Sequence, residues 1–477
     1  MSLQRSTRES ASVDWQDCAV DALRGVGREN AIADAISSAW PRWPAAMPSM
    51  ISRTPGLCAS VRWTGAGAGM LTAMNRVHDV VVFGATGFVG ALTAAYLARH
   101  APEGVRIALA GRSADKLAAT RAGLPAAARE WPLVVADSED QVSLAALAAS
   151  TRVLATTVGP YARYGLPVVE ACARAGTHYA DLTGEVLFVR AAIDAVHELA
   201  LESGARIVHA CGYDSIPSDL GMVLLHERAV ADGAGPLTDV RLVATVRGGF
   251  SGGTIDSLRA QIEAYESSPG LRRVAADPHA LSPDRAAEPT PAQPRDAGMP
   301  SRAADGTWQA PFVMAPFNTR IVRRSNALLD WAYGPELRYG EVMGAGQGVT
   351  GALMAAGITG GLVGLVGAMS VKPVRGLLDR VLPAPGTGPS EQARAKGWFR
   401  SVLYATTSSG CRYRATVAGP GDPGYAATAV MLGQSALCLA LDDLPQRSGS
   451  LTPATAMGRP LIDRLRLAGH TYDVTTA

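Results

Sequence analysis

The stretch VVVFGATGFVGALTAAYLARH, Val80 to His100, joins an apolar run to a helical pattern through three glycines. Val80–Phe83 reads as a short buried strand. Gly84-Ala85-Thr86-Gly87-Phe88-Val89-Gly90 reads as a GxxGxxG turn, and Ala91–Arg99 has helical spacing. Strand, glycine turn and helix form the context of a dinucleotide fingerprint. Gly84 permits a tight exit from the strand. Gly87 lets backbone approach a pyrophosphate, and Gly90 lets the helix pack close to the sheet. The helix N-terminus then turns free amides toward phosphate.

Alternating elements follow. VRIALAG (105–111) reads as a second strand, WPLVVAD as a third ending at Asp137, and RVLATTVGP as a fourth. HYADLTG and ARIVHACG read as the fifth and sixth. Helical stretches separate them. This order predicts an α/β fold, a Rossmann doubly wound parallel sheet over residues 77–215. A second α+β substrate or interface domain is expected over 216–420. A C-terminal helical stretch, 421–477, is expected to return to the first domain.

The second strand ends in Ala110-Gly111-Arg112-Ser113, where an NAD-binding domain usually carries Asp or Glu. A guanidinium there pairs with a 2′-phosphate, and Ser113 adds a hydrogen bond, so NADP(H) is favoured over NAD(H). Asp137 either lies near adenine or caps the next helix. Gly159 and Pro160 end the fourth strand on the nicotinamide side.

Bulk properties narrow the rest. The chain has 477 residues and a net charge of +2, which gives no reason to expect nucleic acid. Its six cysteines form no CxxC pair, so neither a zinc site nor a disulfide framework is indicated, and a reducing cytoplasm fits. Residues 1–76 lack periodicity and carry no apolar h-region. They read as a disordered extension or as the product of an upstream start codon.

VVFGATGFVG, ALAGRS, TTVGPYARYGLPVVEACARAGTHYADLTGE and HACGYDSIPSDLG together resemble the saccharopine dehydrogenase-like oxidoreductases. GGFSGGT, APFNTRIVRRSNALLDWAYG and GDPGYAATAVMLGQSALCLALD resemble the mycobacterial trans-acting enoyl reductase branch, associated with phthiocerol and phenolphthiocerol lipid synthesis. The resemblance runs from about residue 77 to the C-terminus. It implies NADPH-dependent reduction of an α,β-unsaturated acyl thioester carried by a polyketide synthase carrier protein.

Such a reaction needs hydride at the β carbon, stabilisation of an enolate oxygen and a proton for the α carbon. Tyr161 and Tyr164 follow the fourth strand, and Tyr213, Asp214 and Ser215 follow the sixth. Tyr161 is the first candidate acid, against a plain packing role under the cofactor. Asp214 and Asp219 flank Pro217 and can equally fix a turn. His178 and His209 read as core histidines. Arg320, Arg323 and Arg324 form either a docking cluster for an acidic carrier or a solvated strand edge. No metal cluster is expected.

Four further features belong to the second domain. Gly248–Thr254 is a glycine-rich strand-to-helix turn, and residues 278–300, with six prolines, read as a long surface loop. FRSVLYATTSSGCRYRATVAG reads as a hairpin. Val342–Val371 spans thirty residues without a charge, nine of them glycine. It reads as a buried or dimer-interface helical hairpin, as an apolar wall or peripheral membrane contact at the inner membrane face, or as a span. Two other functions stay open: a saccharopine-type amino-acid dehydrogenase, and a non-catalytic NADPH-binding lipid-associated protein.

Overall fold

The computed structural model describes residues 76–248, 252–289, 291–370 and 388–477. The expected N-terminal extension up to residue 73, and part of the Gly248–Thr254 turn, lie outside them.

In chain order the first half comprises β1 (His78–Phe83), α1 (Phe88–His100), β2 (Ile107–Gly111), α2 (Ala114–Ala122), β3 (Leu133–Val135), α3 (Gln141–Ser150) and β4 (Thr151–Thr156). It continues with α4 (Tyr161–Ala175), β5 (His178–Ala180), α5 (Val186–Ser203), β6 (Arg206–Val208) and α6 (Ile216–Ala231). Then come β7 (Leu237–Arg247), α7 (Gly252–Ser267), α8 (Pro269–Ala276), β8 (Ser301–Arg302), β9 (Thr307–Pro311), α9 (Ala315–Leu328), β10 (Arg338–Gln347) and α10 (Gly348–Ser370). The chain closes with α11 (Glu391–Ala395), β11 (Trp398–Thr407), β12 (Arg412–Pro420), α12 (Ala426–Leu441), β13 (Gly449–Leu451), α13 (Pro453–Ala456), α14 (Gly458–Leu467) and β14 (Thr471–Thr476).

Two seven-stranded sheets result. The first runs β13-β6-β5-β4-β1-β2-β3 and is parallel throughout. β1 and β2 are wholly buried, as continuous apolar runs require of a sheet covered on both faces. Its seventh strand, β13, comes from the far C-terminal region, and its three residues carry no pattern that would mark it in the sequence. β3 stops two residues short of Asp137.

The second sheet runs β14-β12-β11-β7-β10-β9-β8. It is antiparallel except where β7 lies parallel to β10. The hairpin β11–β12 supplies two of its central strands. Helix α6 is buried along most of its length and packs between the sheets against β12, β14 and α9. Helix α12 returns to the first sheet, packing on α1, β4 and β5. Gly433 makes that crossing close: a Cβ there would stand 2.7 Å from the Tyr96 ring. Gln434 donates to the Tyr96 hydroxyl at 2.5 Å.

Two expectations are corrected. Arg320, Arg323 and Arg324 lie on α9, not on a strand edge, and all three are buried. Arg320 pairs with Asp296. Arg323 donates to the carbonyls of Tyr339 (2.9 Å) and Pro278 (3.1 Å). Arg324 donates to those of Leu281 (2.5 Å) and Ser450 (2.6 Å). These arginines lash the proline-rich segment to the core, and Leu281 within it is fully buried, so that segment is not a plain surface loop. They are therefore not a carrier-docking surface. The uncharged stretch from Val342 is likewise no helical hairpin: its first residues finish β10, and the rest is one helix, α10, exposed over most of its surface.

Candidate functional site

The strand order changes direction between β1 and β4, and an open crevice lies at the carboxyl ends of strands on either side of such a point. Gly84 leaves β1 with φ +86°, a conformation glycine adopts without strain. A Cβ there would stand 2.9 Å from Thr157 Oγ1 and Val158 Cγ2, so the turn is pressed against the end of β4. A Cβ on Gly90 would overlap the Gly84 carbonyl oxygen, which is how closely α1 lies on the strand exit. Gly87 is the N-cap of α1. The amides of Phe88, Val89 and Gly90 open the helix with no carbonyl one turn back to accept them. The Phe88 ring is held edge-on to Tyr425 at 5.1 Å, beneath the Arg394 guanidinium at 5.2 Å. Thr86 is exposed at the tip of the turn.

At the end of β2, Arg112 is exposed, and its guanidinium meets no partner among the described residues. Ser113 caps α2, accepting the Lys116 amide at 3.3 Å. A Cβ on Gly111 would lie 3.9 Å from the Thr86 methyl, so this end adjoins the glycine turn. The cap of α3 is Asp140, not Asp137. Asp137 instead accepts the Glu139 amide at 3.1 Å.

Beyond β4, Gly159–Pro160 is a cis peptide and Pro160 is the N-cap of α4. Tyr161 is buried. Its hydroxyl donates to the Thr156 carbonyl (3.2 Å) and accepts the Leu182 amide (3.1 Å), and its ring stacks on Phe188. Burial and the nearby Asp181 raise its pKa well above the ordinary phenol value. Both hydrogen-bonding directions of the hydroxyl are in use, which makes Tyr161 a brace between β4 and the Leu182 turn. That corrects its placing as the first candidate acid. Tyr164, one turn along α4, is partly exposed beside Arg163. The Tyr213 ring packs edge-on to Phe399 of the second sheet at 5.2 Å, with its hydroxyl buried.

Three acidic side chains that follow β5 and β6 organise the rest. Asp181, fully buried, accepts from Tyr179 Oη (3.0 Å), the Ala210 amide (2.9 Å) and the Thr183 amide (3.1 Å), and pairs with His209 Nδ1 at 2.7 Å. His209 is thus a core histidine held by a carboxylate. Glu185 accepts the amides of Tyr161 (3.1 Å) and Ala162 (2.7 Å) and the Ser257 hydroxyl (2.6 Å). Asp214 is only partly accessible. Burial pushes its carboxyl up to about 7, and the charge of Asp181 adds to this. Gly184 and Gly212 leave room around it: Cβ atoms there would stand 3.7 Å and 3.1 Å from its oxygens. Among the described residues no side chain donates to Asp214. Asp181 and Glu185 were not candidates from sequence. Their only signal was the segment DLTGE at the end of a strand.

Residues 80–208 match the saccharopine dehydrogenase NADP-binding domain. A Mycobacterium tuberculosis protein provisionally named a trans-acting enoyl reductase is 50% identical over 418 residues, 85% of this chain and 99% of its own. The trans-acting enoyl reductase of Mycobacterium bovis is 47% identical over 411 residues, 84% of this chain and 98% of its own. The chain belongs to the trans-acting enoyl reductase family. Among solved structures, apo saccharopine dehydrogenase (L-Glu forming) of Saccharomyces cerevisiae matches with a TM-score of 0.46 at 13% identity, over 83% of this chain and 99% of its own.

The cofactor that goes with this enoyl reductase's NADP-binding domain is NADP(H). The crevice has the groups that such a nucleotide needs: open amides at the start of α1, a side-chain-free turn at Gly87, and an unpartnered guanidinium at Arg112.

Proposed function

We propose that the protein is an NADPH-dependent enoyl reductase acting on an α,β-unsaturated acyl thioester presented by a polyketide synthase carrier protein. The observation that carries this reading is identity of about half over nearly the full length of trans-acting enoyl reductases, with the nucleotide crevice intact.

When bound, NADPH supplies a hydride to the β carbon of the thioester. The chain's own residues do the rest. The amides of Phe88, Val89 and Gly90, with Gly84, Thr86 and Gly87, would hold the pyrophosphate. Arg112 and Ser113 would hold the 2′-phosphate, and Asp137 would border the adenine. Gly159 and Pro160 would serve the nicotinamide end, and Glu185 fixes the amides that follow them. Asp214 holds its proton near neutral pH and delivers it to the α carbon as the enolate collapses. Tyr164 is the second group placed to donate. The amino-acid dehydrogenase reading needs free cations for two carboxylates, and the three arginines of α9 are committed to carbonyls and Asp296.

The test is purified protein with NADPH and a trans-2-enoyl thioester, free and carrier-bound, with the product identified by mass spectrometry. A saturated thioester with matching NADPH oxidation is expected. NADPH binding without reduction of either substrate overturns the reading.

A further inference from the structure

Helix α10 is an exposed surface helix with no polar face. An ordinary surface helix buries one apolar stripe and shows charge to water. Here Gly351, Ala355, Thr359 and Met369 are its buried residues, and the helix packs on β9, β10 and α7. The opposite side carries Val349, Leu353, Gly360 and Val363, and Leu353 and Val363 are 68% and 69% exposed. Not one charged residue occurs between Gly348 and Met369, 22 residues and thus about 33 Å of helix.

Length alone would allow a span, but the topology forbids it. β10, immediately before the helix, and β11, after it, both pair with β7. The chain must therefore return to the side it left. The sequence between the two strands contains Lys372, Arg375, Asp379 and Arg380, side chains that hydrocarbon rejects. The helix stays on one side of any bilayer it meets.

The charges beside it have a matching sense. Among the described residues, the sheet end from which α10 starts carries Arg247, Arg302 and Lys396, with Asp305 and Glu391 as its solvent-facing acidic groups and Asp422 buried beneath Gly248 and Gly397. Three of the four charges that follow the helix in sequence are basic. Trp398, 39% exposed, sits at the same edge, as indole rings do at lipid headgroups. We propose that α10 docks the protein on the surface of an anionic lipid bilayer, lying in its plane with Val349, Leu353 and Val363 among the acyl chains.

The site is close to this surface. Helix α7 packs against α10. Its Ser257 donates to Glu185, and its Gln261 to the Gly184 carbonyl at 3.4 Å. One helix separates the lipid-facing helix α10 from the residues that flank the crevice. The docking itself does not depend on which reaction the crevice performs.

The experiment is flotation of the full chain with vesicles of phosphatidylcholine and phosphatidylglycerol in equal parts. The protein is expected to float with them, and Leu353→Asp with Val363→Asp to lower partition by about tenfold or more. NADPH binding by fluorescence should be unchanged, which shows that the variant is folded. Gly360→Leu with Gly364→Leu decides between occupants, since a Cβ at either meets nothing within 4 Å. Added apolar surface strengthens docking on lipid, whereas a helix pair formed by close glycine contact with a second copy would come apart. Stronger flotation supports the proposal. A wild-type protein that stays with the soluble fraction overturns it. So does a dimer in analytical ultracentrifugation that these leucines dissociate.

Discussion

The carboxylate of Glu185 accepts the backbone amides of both Tyr161 and Ala162, the first two residues of α4. An acidic side chain thus caps a helix from a neighbouring loop, just after Gly159 and Pro160. It satisfies donors that the helix cannot, and it faces the positive end of the helix dipole. Burial raises its pKa, and hydrogen bonds from Ser257 and the two amides work the other way. Glu185→Ala should therefore destabilise the fold by about 1–3 kcal/mol, read as a lowered denaturant midpoint. NADPH affinity should fall with it, because the turn beside the nicotinamide end loses its anchor. An unchanged midpoint would mean that solvent replaces the cap.

Arg112 is exposed at the end of β2 without a partner among the described residues. Arg112→Ala should weaken NADPH binding by roughly 10- to 100-fold, the range of a lost charge-assisted contact, and leave NADH nearly unaffected. Equal losses for both nucleotides would sink the 2′-phosphate role. Titration of cofactor fluorescence separates the two results.

Asp214 must carry its proton to act as an acid. Its carboxyl is pushed up to about 7, so the protonated fraction falls as pH rises through 7. The turnover number should be level below that value and decline above it. Asp214→Asn should lower turnover by about 10²- to 10⁴-fold and abolish that dependence. Should Tyr164→Phe do this instead, the donor is Tyr164.

Arg324 spans two carbonyls from distant parts of the chain, Leu281 and Ser450, with its side chain buried. Arg324→Ala leaves both without a donor in the core, at about 1–3 kcal/mol each. Thermal unfolding should show a lowered midpoint. Affinity for a carrier protein should not change separately from the loss of folded protein.

Stability should also depend on pH in a defined direction. Asp214, Asp219 and Glu341 all have carboxyls raised to about 7 by burial. A raised carboxyl stabilises the fold fully below its unfolded pKa of about 4, and that contribution is lost as pH rises through 7. His178 and His470, lowered to about 3 and about 4, act oppositely, but their contribution is already levelling off at about pH 6.5, the unfolded imidazole value, and is smaller than that of the three carboxyls above it. The melting temperature should therefore fall between about pH 6.5 and 8. A flat or rising profile there contradicts the burial argument.

The nucleotide-binding half was legible because its signals are local. Glycine spacing at 84, 87 and 90 records contacts within one turn, and Arg112 is read from its place at a strand end. The acidic groups were not legible. Asp181, Glu185 and Asp214 gain their roles from partners that arrive from other strands and helices, and nothing in their own neighbourhood marks which of them is buried. Tyr161 shows the same limit: its position after β4 pointed to chemistry, and only the Leu182 amide reveals its hydroxyl as occupied.

Sequence by itself determined six strands of the first sheet, its glycine turn and the uncharged character of α10, because strand period, turn chemistry and composition are properties of short segments. Tertiary structure alone decided three things. It turned the arginines of α9 inward, where loop carbonyls replace water as their partners. It brought β13 from the far end of the chain to the first sheet. It also placed β10 and β11, the strands before and after α10, in one sheet, so that an apolar helix long enough to cross a bilayer has to stay on one side of it. Each depends on contacts between residues far apart in sequence, which no local pattern encodes.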